Sequence, residues 1–150
     1  MDIALERELK LAQRHDQPLS LLVIDVDHFK RVNDNFGHLD GDRALQQVVL
    51  SIQNTLRETD QVFRYGGEEF VAVLHNTGAH EAMVIAERIR VNVAMSPISL
   101  EDEDLFCTAS IGVASHEGDD NCTALLEKAD AALYNAKNAG RNRVEIWSSP

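Results

Sequence analysis

The chain has 150 residues, of which 44% are apolar, and its 25 acidic and 14 basic residues give a net charge of −11. A chain of this size predicts a single domain over residues 1–150, and the acidic balance disfavours nonspecific binding to nucleic acid or anionic lipid. No apolar run reaches the roughly 18 residues that cross a membrane, and Cys107 and Cys122 form neither a CxxC pair nor a disulfide framework. We therefore expect a cytoplasmic domain with inert thiols, no nucleic-acid partner and no direct membrane contact.

The first part of the chain predicts a helix, a buried strand and two further helices. Residues 2–15 follow a helical pattern, and the apolar run 21–24 is typical of a strand buried on both faces, at the centre of a sheet. Asp27 is interpreted as the N-cap of a short helix, 28–36, which Gly37 ends. Asp40 is expected to cap a longer helix whose apolar face is formed by Leu45, Val48, Val49, Ile52 and Leu56.

A hairpin with acids at its tip is predicted over residues 63–71. Two β-type runs are joined by Gly66 and Gly67 and followed at once by Glu68 and Glu69. Glycines allow positive φ angles and a close approach of the backbone to a bulky anion, while the glutamates can hold the cation that such an anion needs. The pattern indicates a site for a metal ion and a phosphate.

The second part of the chain predicts a helix, a strand, a last helix and a final strand. Apolar residues recur at helical spacing from Ala82 to Val93, and residues 106–115 are typical of a strand. The last helix is expected from near Thr123 to Gly140, before a short strand over 143–147. The order β-α-α-β-β-α-β-α-β favours an α+β fold with helices packed on a largely antiparallel central sheet.

Asp25 stands where the first strand ends, and this strand and the hairpin can be neighbours in the sheet. Asp25 and Glu68, with Glu69 as a possible third group, would then supply the hard oxygen ligands that Mg²⁺ prefers. The alternative is that Asp25 caps a turn and that the glutamates are solvated.

Five segments of the sequence resemble the GGDEF family of diguanylate cyclases, in its Gly-Gly-Glu-Glu-Phe variant. They are residues 25–34, 36–38, 64–70, 129–137 and 140–142, and the resemblance covers at least residues 20–147. It implies a ferredoxin-like, palm-type nucleotidyl cyclase fold. It also implies that two GTP molecules condense to cyclic di-GMP with release of two pyrophosphates, in a homodimer in which each domain contributes half of the site.

The resemblance assigns the metal and catalytic residues. Mg²⁺, with Mn²⁺ as an alternative, would be bound by Asp25, the backbone carbonyl of Val26 and Glu68, and Glu69 would reach a second metal. Glu68 would also lie near the attacking 3′-hydroxyl, and whether it acts as a general base or only as a ligand stays open. Asp27 is expected to remain a helix cap.

The resemblance also assigns substrate and product contacts. Guanine would be recognised by Asn33 and Asp42, whose amide and carboxylate match its donor and acceptor edge, with His38 as a third contact and Phe29 as a pocket wall. The implied phosphate partners are Lys30, Lys137 and Arg141. Feedback inhibition by cyclic di-GMP would use the RxxD motif formed by Arg57 and Asp60, together with Arg88.

The sequence departs from the family pattern at its start, where the usual DxLTxLxNR segment is missing. We therefore expect a piece of a longer protein with a sensory or dimerising region upstream. Two alternatives stay open: a catalytically silent domain that binds GTP or cyclic di-GMP, and another nucleotidyl cyclase or palm-type enzyme that uses ATP or a nucleic-acid end.

Overall fold

A computed structural model describes residues 2–100, 102–118 and 120–149, so the predicted domain limits at 1 and 150 lie outside the described residues. The elements in chain order are α1 (Asp2–Arg14), β1 (Leu19–Val26), α2 (Phe29–Thr55), β2 (Gln61–Arg64), β3 (Glu69–His75), α3 (Ala79–Met95), β4 (Ile98–Ser99), β5 (Asp104–Leu105), β6 (Ala109–Ser115), α4 (Cys122–Asn138) and β7 (Val144–Ile146).

The main sheet has five strands in the order β2-β3-β1-β6-β7. β1 lies at its centre and pairs antiparallel with both β3 and β6, whereas β7 pairs parallel with β6. All eight residues of β1 are buried, as its continuous apolar run predicted. The expectation of an α+β fold built on a largely antiparallel sheet is confirmed.

Two apolar clusters cover the two faces of this sheet. Alternate residues of β1 point to opposite sides, so Leu22 and Ile24 join α2 and α3 in one cluster, while Leu21 and Val23 join α1 and α4 in the other. None of the helices among the described residues combines the length and apolar character that crossing a lipid bilayer requires.

The region after β1 contains one confirmed prediction and one error. Gly37 has φ 87° and ψ 169°, a conformation that interrupts α2, so the predicted break between two helical segments is confirmed. Asp27 does not cap this helix, because the N-cap position is His28, which has φ 56° and no side-chain capping hydrogen bond.

The predicted strand 106–115 is shorter than expected. Regular pairing with β1 begins only at Ala109, and the preceding β5 instead pairs with β4 in a separate two-stranded sheet. Strands of two residues are too short to show a period of two, so the sequence pattern did not reveal them.

Helix α4 packs unusually close to the sheet at Gly112 of β6. A Cβ atom on Gly112 would lie 2.2 Å from the carbonyl oxygen of Ala129 and 2.3 Å from the backbone nitrogen of Leu133. Only glycine permits this approach, and it determines where the C-terminal end of α4, with Lys137, lies relative to β1.

Candidate active site

The end of β1 and the start of β3 bring four predicted site residues together. In the antiparallel register Asp25 is opposite Glu69, and the backbone N–H of Val26 donates to the carbonyl oxygen of Glu68 at 3.2 Å. Because β3 runs antiparallel to β1, the loop that precedes β3 must lie where β1 ends. The prediction that Asp25 and the hairpin meet is confirmed.

The hairpin turn is held by backbone and arginine hydrogen bonds. The N–H groups of Tyr65 and Gly66 donate to the carbonyl oxygen of Glu69 at 2.8 and 3.3 Å. The Arg64 guanidinium donates to the carbonyl oxygens of Gly66 and Gly67 at 3.3 and 2.8 Å. Arg64 thus stabilises the turn from its own strand.

The two hairpin glycines leave space for a ligand, but they do not adopt unusual backbone angles. Neither Gly66 nor Gly67 has a positive φ, so that part of the expectation is wrong. A Cβ atom on Gly67 would meet no heavy atom within 4 Å, and one on Gly66 would meet only Glu69, at 3.8 Å or more. The absence of side chains leaves open space in front of the carboxylates.

The carboxylates form a partly buried, negatively charged group that one lysine partly neutralises. Asp25 is 5% exposed, and Lys137 Nζ donates to its Oδ2 at 2.5 Å. Burial raises the pKa of Glu69, and the charge of Asp25, a hydrogen bond with Asp25 and the charge of Asp130 raise it further, whereas Lys137 lowers it. Burial also raises the pKa of Asp130, against the effect of Lys137. The site therefore favours an additional positive charge, either a proton or a metal cation.

Protein side chains alone do not form a complete metal cage here. Within the described ranges, no three or more His, Cys, Asp or Glu side chains are grouped so that they could hold a metal ion. Mg²⁺ commonly takes one or two carboxylates and completes its octahedron with phosphate oxygens and water. Asp25 and Glu69, with Glu68 beside them, match a magnesium site in which the protein supplies only some of the ligands.

A glycine that the sequence reasoning missed, Gly41, leaves room for the side chain of Asn33, a predicted guanine contact. A Cβ atom on Gly41 would lie 1.9 Å from Oδ1 of Asn33 and 3.3 Å from Cζ of Phe29. The Asn33 amide therefore lies against the backbone beside Asp42. The sequence feature that could have revealed this contact is a glycine inside a helical pattern.

A cavity of about 640 Å³ opens between α2 and the β2–β3 hairpin. Asp42 and Arg64 line it, together with apolar residues such as Leu45 and Phe70. Of the predicted substrate contacts, only Asp42 borders this cavity.

The remaining predicted substrate residues differ in their surroundings. Phe29 is buried, Lys137 is half-buried against Asp25, and Lys30, His38 and Arg141 are exposed. None of these three exposed side chains makes a hydrogen bond or ion pair with another described residue. They are available to a ligand, but their surroundings do not identify one.

Arg57 and Asp60 of the RxxD motif form a closed pair. The Asp60 side chain is fully buried and accepts from Nε and Nη2 of Arg57, both at 3.2 Å, and from the backbone N–H of His75 at 3.3 Å. Nη2 of Arg57 also donates to the carbonyl oxygen of His75 at 2.8 Å and to Oγ1 of Thr77 at 2.6 Å. Hydrogen bonding to Asp60 raises the pKa of Arg57. The pair fastens the α2–β2 turn to the end of β3.

Asp27 has a different role from the predicted cap. Its carboxylate accepts from Oγ1 of Thr108 and from Oγ of Ser110, both at 2.7 Å, and from the backbone N–H of Asn142 at 3.0 Å. These bonds join the ends of β1, β6 and the α4–β7 loop.

The largely antiparallel sheet, the helices on both faces and the carboxylates at the end of the central strand are those of the palm-type α+β fold that the sequence predicted. Residues 1–143 match the family described as "Diguanylate cyclase, GGDEF domain", and the chain therefore belongs to the GGDEF family. Enzymes of this family depend on a divalent metal.

Individual relatives agree with this assignment. The chain is 42% identical over 142 residues to diguanylate cyclase DgcP of Pseudomonas aeruginosa, a match that covers 95% of this chain but 21% of that protein. The active GGEEF domain of a diguanylate cyclase from Vibrio cholerae is 36% identical, with a TM-score of 0.92 and coverage of 99% and 95% of the two chains. The GGDEF domain of DgcB from Caulobacter crescentus, solved in complex with c-di-GMP, is 34% identical, with a TM-score of 0.92 and coverage of 97% and 86%.

Proposed function

We propose that this chain is a diguanylate cyclase domain that condenses two GTP molecules to cyclic di-GMP and two pyrophosphates. The observation that supports it best is the meeting of Asp25, Glu68 and Glu69 beside Lys137, in a chain of the GGDEF family. The family's curated members include named diguanylate cyclases, which favours an active enzyme over a silent receptor.

The divalent metal is assigned to Mg²⁺ or Mn²⁺, bound by Asp25, Glu68, Glu69 and the carbonyl oxygen of Val26. The donor set fits, because burial and the neighbouring Asp25 raise the pKa of Glu69, and a bound cation would stabilise the ionised carboxylates. When bound, the metal supplies charge neutralisation and a more acidic attacking hydroxyl. Lys137 pairs with Asp25 in the structure and supplies a further positive charge at this site.

The substrate is held at two ends. Asn33 and Asp42 bind the guanine edge, next to His38 and the wall formed by Phe29. Lys30, Lys137 and Arg141 bind the phosphates, whose negative charge exceeds what the metal offsets. Charged donors form the stronger class of hydrogen bonds to phosphate oxygens.

Each phosphodiester bond forms when the 3′-hydroxyl of one GTP attacks the α-phosphorus of the other and pyrophosphate leaves. Such a displacement depends on alignment and charge stabilisation more than on covalent participation of the protein. One domain holds one GTP, so a symmetric homodimer is needed to place two GTP molecules face to face.

The proposal treats residues 1–150 as one domain, because both apolar clusters share a single sheet. GTP is a cytoplasmic substrate, and both cysteines are buried free thiols, which agrees with a cytoplasmic location.

The test is product formation by a forced dimer. The chain, with and without an appended dimerising helix, is incubated with GTP and either Mg²⁺ or Mn²⁺, and pyrophosphate and cyclic di-GMP are quantified. The Glu68→Gln variant serves as the inactive control. Binding of cyclic di-GMP without any product in the dimeric form would favour the silent receptor instead.

Guanine selectivity is tested with the Asp42→Ala variant. This variant should use GTP less well while retaining metal binding. An unchanged preference for GTP over ATP would favour the reading as another nucleotidyl cyclase.

Product inhibition is proposed to act through Arg57, Asp60 and Arg88. Arg57→Ala leaves the buried Asp60 carboxylate without its cation, so this variant should lose both inhibition and thermal stability. Arg88 is exposed on α3 and makes no hydrogen bond or ion pair with another described residue, so Arg88→Ala should weaken inhibition at unchanged stability. If both variants retain the wild-type inhibition constant, the inhibitory site is refuted.

A further inference from the structure

The loop that follows α4 has an unusual backbone. Gly140, Arg141 and Asn142 have consecutive positive φ angles of 121°, 63° and 47°. The first ends the helix in a Schellman motif, in which the N–H of Arg141 donates to the carbonyl oxygen of Ala136 at 3.0 Å and that of Gly140 to Lys137 at 3.3 Å. Glycine takes this conformation freely, whereas a non-glycine residue such as Arg141 adopts it only at an energetic cost.

Asn142 is held from two sides immediately after Arg141. Its backbone N–H donates to Oδ2 of Asp27 at 3.0 Å, and its Oδ1 accepts from Nη1 of Arg90 at 2.9 Å. Asp27 is 6% exposed. Arg90 lies on α3 and is itself fixed by a bidentate ion pair with Glu87. The loop is thus anchored both to the sheet and to a helix.

The backbone of Arg141 is fixed, but its side chain is not. Its backbone is fixed by the helix cap on one side and by Asn142 on the other, yet its side chain is exposed and makes no hydrogen bond or ion pair with another described residue. Strained backbone persists only where neighbouring contacts determine it, and such positions concentrate at functional sites. A fixed backbone around a cation that pairs with no other described residue favours a bound ligand as the partner of that cation.

We propose that Asn142 is a positioning residue: anchored by Asp27 and Arg90, it fixes Arg141 in the left-handed conformation that aims its guanidinium at a substrate phosphate. This inference rests on the proposed function, because Arg141 is assigned there to the triphosphate. Fixing the cation before binding reduces the entropy that the complex loses when the contact forms.

A double-mutant cycle tests whether Asn142 acts through Arg141. The dissociation constant of 3′-deoxy-GTP with Mg²⁺ is measured by calorimetry for the wild type, Asn142→Ala, Arg141→Ala and the double variant. Arg141→Ala should weaken binding about tenfold, and Asn142→Ala about three- to tenfold, as expected for loss or misplacement of one charged contact. The double variant should bind no more than twofold weaker than Arg141→Ala, because residues acting as one unit are not additive. Multiplied effects, or an unchanged constant for Asn142→Ala, would overturn the inference.

A second pair of variants covers the case in which Asn142→Ala does not fold. Arg90→Gln removes the helix anchor but keeps the bond from Asn142 to Asp27, and it should weaken binding about threefold. His80→Gln is the matched control, since His80 is exposed on α3 and makes no hydrogen bond or ion pair with another described residue, and it should bind like the wild type. Equal losses in the two variants would instead indicate general damage to α3 and contradict the positioning role.

The choice of 3′-deoxy-GTP as the ligand distinguishes a failure of this inference from a failure of the proposed function. 3′-Deoxy-GTP lacks the attacking hydroxyl, so its binding requires no turnover. A wild type that binds it but forms no cyclic di-GMP from GTP as a forced dimer contradicts the cyclase proposal alone, whereas additive dissociation constants in an active enzyme contradict the positioning role alone. A wild type that does not bind 3′-deoxy-GTP contradicts both.

Discussion

Substituting Gly112 by alanine should push α4 away from the sheet. The added Cβ would lie 2.2 Å from the carbonyl oxygen of Ala129, 2.3 Å from the nitrogen of Leu133 and 2.9 Å from its Cα. All three are backbone atoms, so no side-chain rotation relieves the clash. An ordinary carbon contact requires about 3.5 Å, which means that the helix must shift by about 1 Å.

The stability cost follows from this overpacking. Extra methyl groups in a packed core cost about 1–3 kcal/mol, and the upper half of that range applies because the contacted atoms are fixed. For a domain of this size about 2–4 °C in Tm corresponds to 1 kcal/mol, so we expect Tm to fall by about 4–12 °C. The shift also moves Lys137, which bonds Asp25 at 2.5 Å, and cyclase activity should fall with it.

Thermal unfolding followed by circular dichroism measures the first effect, and cyclic di-GMP formation by the dimer measures the second. Gly78→Ala is the matched control, because a Cβ there meets no heavy atom within 4 Å, and its Tm should change by no more than a few degrees. A Gly112→Ala protein with wild-type Tm and activity would refute the claim that this close approach positions α4.

Two further predictions concern the base site and acid stability. Gly41→Ala should raise KM for GTP about tenfold, because the added Cβ displaces the Asn33 amide, whose oxygen is 1.9 Å away. The variant should not lower Tm, since alanine favours the helix. An unchanged KM would show that Asn33 does not contact the substrate. Burial opposes ionisation of Asp120, but hydrogen bonds from Lys128 and the Glu117 N–H, and the nearby charges of Lys128 and His116, leave its pKa below the ordinary value. Its stabilising effect is therefore present above the unfolded pKa of about 4 and is lost as the pH falls through the lower folded-state pKa. Asp120→Asn should lower Tm slightly at about pH 7 and not at about pH 2, in line with a partly exposed ion pair worth about 0.2–1 kcal/mol; equal losses at both pH values would contradict the ionic origin.

Local sequence patterns predicted most elements but not their ends. The apolar run in β1 and the helical repeat in α3 each determine an element, because burial on a strand or helix face imposes a period. The two-residue strands β4 and β5 have no such signal, and the shortened start of β6 depends on the register with β1.

The separate roles of Asp25 and Asp27 were decided by tertiary structure. The two aspartates are two residues apart at the end of one strand, and nothing in the local sequence distinguishes a ligand from an anchor. Asp27 is an anchor because its donors Thr108 and Asn142 come from positions 81 and 115 residues away. Only the pairing of β1 with β6 and the packing of α4 bring those donors near.

By itself, the sequence determined that a buried strand carries Asp25 near its end and that a hairpin carries Glu68 and Glu69, because apolar period and turn residues are local properties. Tertiary structure alone decided that Lys137 neutralises Asp25 and that Asp27 and Arg90 hold Asn142 beside Arg141. Each of these relations depends on strand register or on how closely a helix approaches, and both are determined by residues distant in the chain.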